Sequence, residues 1–322
     1  FHDNITSIQE GAFKGCTYLT DFDLNEGLQT IESYVFEGCV SIIDVNIPSS
    51  VISLGGCAFK SCSGLTNVVL NEGIENIGSG AFEGCVSLID LTVPNSVTTI
   101  NIGAFKGCTN LTSLTVPFVG YSQTSSNTYL AYMFGADRYA YNGYVPKSLK
   151  TVTITNATKL DSNAFYRCDN ITNIILNEGI TTIGSNTFYQ CTSLMEIVIP
   201  STITSVGSYA FGNCNKLQLV NITDVDNWLK IDFNNRESNP MYYANELLLD
   251  GNPIVGEVVI PDSVIKIPYY SLKNTQITSV VFHDNITSIQ EGAFKGCVYL
   301  TDFDLRTLKR LVSEEQARRK KK

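Results

Sequence analysis

Residues 74–93 decide the fold. They read Ile74-Glu75-Asn76-Ile77-Gly78-Ser79-Gly80-Ala81-Phe82-Glu83-Gly84-Cys85-Val86-Ser87-Leu88-Ile89-Asp90-Leu91-Thr92-Val93. The apolar positions are Ile74, Ile77, Ala81, Phe82, Cys85, Leu88, Leu91 and Val93. The ending Leu88-x-x-Leu91-x-Val93 has the alternation of a short half-buried strand. Turn chemistry flanks the unit, with Asn71-Glu72-Gly73 before it and Pro94-Asn95-Ser96 after it. One such unit has too little apolar surface to fold alone. Stacked copies bury a continuous ladder of like residues and pair their strands in parallel.

The same unit recurs along the chain. Its Phe falls at Phe13, Phe36, Phe59, Phe82 and Phe105, then at Phe165, Phe188, Phe211 and Phe294. A Cys follows each three residues later, so nine of the ten cysteines occupy one position of a 23-residue period. With neighbouring strands about 4.8 Å apart, eleven or twelve coils give a rod or shallow arc of roughly 50–55 Å. A second period of two coils is superimposed: Asn-Glu-Gly turns alternate with Pro-containing turns, and the residue after the Phe alternates as Lys14, Glu37, Lys60, Glu83, Lys106. Neighbouring coils then set opposite charges side by side, which opposes a slip by one coil. Residues 1–24 and 282–305 are the same segment apart from Thr17 against Val298.

Composition narrows the function. The chain has 322 residues, is 43% hydrophobic and carries a net charge of −9. Its last 17 residues hold eight Lys/Arg and two Glu, so residues 1–305 carry a net −15. So acidic a body is poorly suited to phosphate backbones. Only two histidines occur, His2 and His283, both in the duplicated segment. That disfavours His-rich metal sites and imidazole catalysis. No Gly-x-Ser-x-Gly elbow or phosphate loop is present. Paired carboxylates such as Asp21/Asp23 and Asp302/Asp304 read as a solvated strand exterior. The cysteines lack the paired spacing of a metal site and, flanked by core residues, read as buried thiols. Cys57 is out of phase and reads as the most exposed of them.

Two stretches break the period. Residues 118–147 contain Tyr121, Tyr129, Tyr132, Tyr139, Tyr141 and Tyr144 among Ser and Asn. This composition suits adaptable protein recognition, and these six tyrosines are the candidate protein-binding residues. The plainer alternative is a loop whose aromatics pack on the solenoid flank. Residues 224–256 contain the only Trp, Trp228, and read as a small β elaboration with Trp228 buried. Within it Leu247-Leu248-Leu249-Asp250-Gly251-Asn252 reads as a strand and hairpin turn. The unit after it has Leu272 in place of the Phe and no Cys. Residues 306–322 form a basic tail, read as a C-terminal cap or a disordered segment.

The motif Ile-Thr-Ser-Ile-Gln-Glu-Gly-Ala-Phe-Lys-Gly-Cys-Thr-Tyr-Leu-Thr at residues 5–20, with Ile-Pro-x-Ser-Val between units, resembles the BspA-like class of leucine-rich repeats. The resemblance covers about residues 1–305, both breaks included. It implies a mainly β solenoid with a parallel sheet on one face and short strands or turns on the other. It also implies a cell-surface or secreted protein, adhesin-like, whose partner is a host matrix or cell-surface protein. That partner would bind through the sheet face and the Tyr-rich insertion. No catalytic, cofactor or metal residues are expected, nor a nucleic-acid partner or a membrane span in this stretch. The second reading is a structural spacer with no dedicated ligand.

Overall fold

A computed structural model describes residues 4–140 and 142–303. The chain winds into about 13 coils, rather than eleven or twelve, because the second break carries two long strands of its own. One face is built from strands of about four residues: Asp44–Ile47, Asn67–Leu70, Asp90–Thr92, Ser113–Val116, Thr151–Ile154 and Asn173–Ile175 form one sheet, all parallel. Glu196–Ile199, Leu219–Ile222 and Glu246–Leu249 form the next group, followed by Val255–Val259, Gln276–Val281 and Asp302–Phe303. Alternation puts Val45 and Ile47 inward and leaves Asp44 and Asn46 outside. The opposite face is a ladder of two-residue strands, from Ser7–Ile8 through Thr30–Ile31, Ser53–Leu54 and Asn76–Ile77 to Thr99–Ile100. Each of these puts a polar residue outside and an aliphatic one inside.

The seam between the faces is the phenylalanine ladder. Phe36, Phe59, Phe82 and Phe105 are fully buried. Their rings stack coil on coil at 5.1 to 6.3 Å between centroids. Phe165, Phe188 and Phe211 repeat the arrangement at 5.6 and 5.0 Å. Most of the cysteines line the same seam, and none of the ten is paired in a disulfide. Cys62 donates its S–H to the carbonyl of Phe36 at 3.1 Å, and Cys85, Cys108, Cys191 and Cys214 each make the same bond to the ladder Phe of the preceding coil. Burial pushes the Cys62, Cys108 and Cys214 thiols up to about 12. Cys57 is only half-buried, but the exposed thiol is Cys16, correcting the sequence reading. Cys16 lies in the first of the described coils. Cys57 does hold the left-handed φ of 56° that Gly80 adopts at the equivalent position with 62°.

The charge row pairs as its alternation implies. Lys14 meets Glu37 at 2.7 Å, while Glu83 lies between Lys60 at 3.7 Å and Lys106 at 2.9 Å.

The breaks depart from the regular coil while continuing the solenoid. Residues 118–147 are mostly a coil of their own. Phe134 is fully buried and lies 6.2 Å from Phe105 on the ladder. Phe105 donates its amide to Met133, as Phe82 does to Ala104. The second break is partly helical: Val225–Lys230 is an α-helix capped by the Asp224 carboxylate on the Asn227 amide. Only its end is the expected hairpin. Glu246–Leu249 folds back on Asn252–Pro253 through Asp250 and Gly251, both at positive φ as a type I′ turn requires. Trp228 is buried, its Nε1–H donating to the Ser271 carbonyl at 2.6 Å. Leu272 fills the Phe position of its coil and is fully buried. The tail, residues 306–322, lies outside the described residues, as do His2 and Asp304.

Candidate protein-binding surface

The candidate tyrosines divide by burial. Tyr129 precedes the short helix Leu130–Met133 and is buried, so its ring has little surface to offer a partner. Its hydroxyl has no hydrogen-bond partner among the described residues, and burial raises its pKa. Tyr132 packs edge-on against both Tyr129 at 5.9 Å and Tyr121 at 6.2 Å. Tyr121 also continues the short-strand ladder, its carbonyl accepting the amide of Ile100. These three tyrosines hold the variant coil against its neighbour. Tyr139 and Tyr144 are exposed, at 43% and 49%. Tyr141 lies outside the described residues.

Tyr139 opens onto a row absent from the sequence reading. Its ring meets Tyr166 edge-on at 5.2 Å, and Tyr166 stacks on Tyr189 at 5.4 Å with an interplanar angle of 10°. Tyr166 and Tyr189 each follow the ladder Phe, at the position held by alternating Lys and Glu in the first five coils. The row therefore changes from ion pairs to stacked phenols across the variant coil. Tyr189 overlies Gly212, where a Cβ would lie 2.7 Å from the ring. Its hydroxyl accepts from the Asn213 side chain at 3.1 Å, and the Asn213 amide donates to the Tyr243 hydroxyl at 2.7 Å. That hydroxyl in turn donates to Glu237 at 3.1 Å. Tyr242 packs edge-on against Tyr243 and Tyr270, and the Arg236 guanidinium lies 5.5 Å from its ring. Burial pushes Tyr243 and Tyr270 up to about 12, so both are neutral donors near pH 7. The signal for this row was present: Phe165-Tyr166 and Phe188-Tyr189 align with Phe13-Lys14 once the coils are registered.

The arrangement offers aromatic edges and hydroxyls on a rigid ladder. Among the described residues no group of three or more His, Cys, Asp or Glu side chains could hold a metal ion. No helix among them is long and apolar enough to cross a membrane.

Comparison with known proteins agrees with the coil pattern. The chain matches the family described as BspA type leucine rich repeat region, in 6 copies, over residues 1–117, 138–238 and 252–315. The internal unmatched stretches, 118–137 and 239–251, fall in the two breaks. Among solved structures, a leucine-rich repeat protein from Bacteroides ovatus is 21% identical, with a TM-score of 0.40. The alignment covers 94% of this chain and 64% of that one. A leucine rich cell surface protein from Faecalibacterium prausnitzii is 20% identical over 95% of this chain and 72% of that one, with a TM-score of 0.38. The pneumococcal vaccine antigen PcpA is 18% identical over 97% and 75%, with a TM-score of 0.34. No curated protein matches the chain in sequence.

Proposed function

The chain belongs to the BspA-type leucine-rich repeat family, and we propose that it is a non-catalytic protein-binding module of a cell-surface or secreted protein. Its partner is a host matrix or cell-surface protein, which makes the role adhesin-like. The contact runs from Tyr139 and Tyr144 along the Tyr166 and Tyr189 row. The observation that carries this reading is the Tyr139–Tyr166–Tyr189 stack. Rigid aromatics give large contact area at low ordering cost, and aromatic anchors dominate protein interfaces. The other residues of the insertion build a coil, so they position the row without touching the partner.

The spacer reading draws on Tyr121, Tyr129 and Tyr132, whose packing is structural. One experiment separates the two. The chain is immobilised and a panel of purified extracellular-matrix glycoproteins is passed over it, alongside the Tyr139→Ala/Tyr144→Ala variant. Retention of at least one glycoprotein, weakened about tenfold or more in the variant at unchanged thermal midpoint, supports the binding module. Retention of none, or equal retention by the variant, sinks it.

A further inference from the structure

The short-strand ladder is interrupted twice: after Thr99–Ile100, where the Tyr121 carbonyl of the variant coil takes up the Ile100 amide, and after Asp232–Phe233, where no described strand follows in register. Asp232–Phe233 pairs only with Ser205–Val206, and Lys266–Ile267 pairs only with Ser288–Ile289. Between them the chain builds two strands on the long-strand side, Glu246–Leu249 and Val255–Val259, joined by the hairpin. No short strand accompanies that step. Residues of both orphaned edges line one groove of about 710 Å³, among them Ile231, Phe233, Ile265 and Lys266. Trp228 closes the core behind it, its ring 5.2 Å from Phe233, so the groove has a packed floor.

Backbone chemistry at the two edges is complementary. Elsewhere in the ladder Thr204 and Val206 accept the amides of Asp232 and Asn234, and Ile265 accepts the amide of Thr287. The equivalent carbonyls of Ile231 and Phe233 accept nothing among the described residues, and the equivalent amide of Ile265 donates to nothing. Open acceptors face an open donor across the groove. At Pro268, where Gly207 and Gln290 donate to the preceding coil, the chain has given up its own N–H. Proline in a sheet is confined to such unpaired edges. Burying a strand edge unpaired is costly, and leaving one open invites another chain.

The rungs on either side define what fits. Asp232–Phe233 and Lys266–Ile267 border the gap with a charged residue outward and an apolar one inward, and the next rungs out, Ser205–Val206 and Ser288–Ile289, carry a small hydroxyl followed by a β-branched aliphatic packed on the core. Two exposed lysines, Lys230 and Lys266, line the groove against a single carboxylate, Asp232. We propose that this gap is a strand-addition site: it takes an extended segment of another protein as the missing rung, parallel to its neighbours. That segment carries a Ser/Thr–aliphatic pair flanked by carboxylates. Main-chain hydrogen bonds supply affinity, and the side-chain alternation and lysines supply selectivity. The site is separate from the tyrosine row and stands or falls independently of it.

The probe is a fluorescent synthetic octapeptide with the sequence of residues 284–291, Asp-Asn-Ile-Thr-Ser-Ile-Gln-Glu, titrated with the full chain by anisotropy. Saturable binding is expected. It should weaken about tenfold or more when the amide of the Gln in the peptide is N-methylated, and likewise in Ile265→Pro, since each change removes a ladder hydrogen bond. Lys266→Glu should weaken it and flatten its salt dependence. If Ile265→Pro does not fold, hydrogen exchange on the unaltered chain substitutes: the Ile265 amide must slow when peptide saturates. No saturable binding, equal binding of the N-methylated peptide, or no slowing at Ile265 overturns the proposal. So does self-association of the chain that Ile265→Pro abolishes, because the occupant is then a second copy.

Discussion

The Cys85 thiol donates to the Phe59 carbonyl at 3.2 Å, one coil earlier, with both residues fully buried. The repeat uses cysteine where a small apolar side chain must also supply one weak donor to the coil beneath. Alanine removes the sulfur volume and the donor together. Cys85→Ala should cost about 1–2 kcal/mol, combining a small cavity with a lost hydrogen bond. Chemical denaturation followed by circular dichroism measures it. Cys57→Ala, at a half-buried position outside the seam, should cost less than half as much.

Those buried thiols make the fold labile to alkali. The folded-state values of Cys62, Cys108 and Cys214 lie at about 12 against an ordinary 9.0. Between pH 9 and 12 the unfolded chain ionises these thiols and the folded chain does not, so the unfolded state binds fewer protons. Their stabilising contribution is whole below pH 9 and is lost through that window, by about 1.4 kcal/mol per pH unit for each fully shifted thiol. Urea midpoints measured from pH 8 to 11 should fall steeply above pH 9. At pH 8, alkylation followed by peptide mapping should label Cys16 first and leave Cys62, Cys85, Cys108, Cys191 and Cys214 untouched until unfolding.

Phe134→Ala should destabilise as much as Phe82→Ala, about 3–5 kcal/mol in each case. Both rings are fully buried on the same ladder. A loop that merely decorated the flank would show little loss on truncation, so paired thermal melts of the two variants discriminate. This is also where the sequence was least legible. The 23-residue spacing exposes the solenoid because every regular coil repeats Phe-x-x-Cys. Met133-Phe134-Gly135-Ala136 has no Cys and falls off the period, although its ring fills the same slot. The tyrosine row was hidden for a related reason: Tyr166 and Tyr189 lie inside regular coils, whereas attention to the irregular segment picked out Tyr129 and Tyr132, which pack internally. The missing rung at Pro268 shows only when pairing partners are known, since a single proline beside a short strand has no signature of its own.

Glu83 holds Lys106 at 2.9 Å and Lys60 at 3.7 Å from one carboxylate. Glu83→Lys would place three ammonium groups on consecutive coils. Each exposed pair is worth only about 0–1 kcal/mol, so the loss should total about 1–2 kcal/mol and shrink as salt is raised. Glu83→Gln should lose about half as much. Equal losses in the two variants, independent of salt, would mean that the row contributes by packing and not by charge.

Lys273 is the one lysine buried among the described residues, although it occupies the position that carries exposed Lys14 and Lys106 in regular coils. Its ammonium donates to the carbonyls of Ala244 at 2.7 Å and Met241 at 3.1 Å. It thus ties off the chain end that emerges from the second break, where no regular coil supplies amides to those oxygens. Desolvation, with Lys295 nearby, lowers its pKa. Lys273→Met keeps the apolar stem and removes the donor, leaving two buried acceptors with nothing to bind. The loss should be about 2–3 kcal/mol, softened because a buried charge is removed as well. It should also loosen the hairpin first: hydrogen exchange at Leu247 and Leu248 should accelerate in the variant while amides around Phe82 keep their protection, since solenoid coils feel chiefly their neighbours.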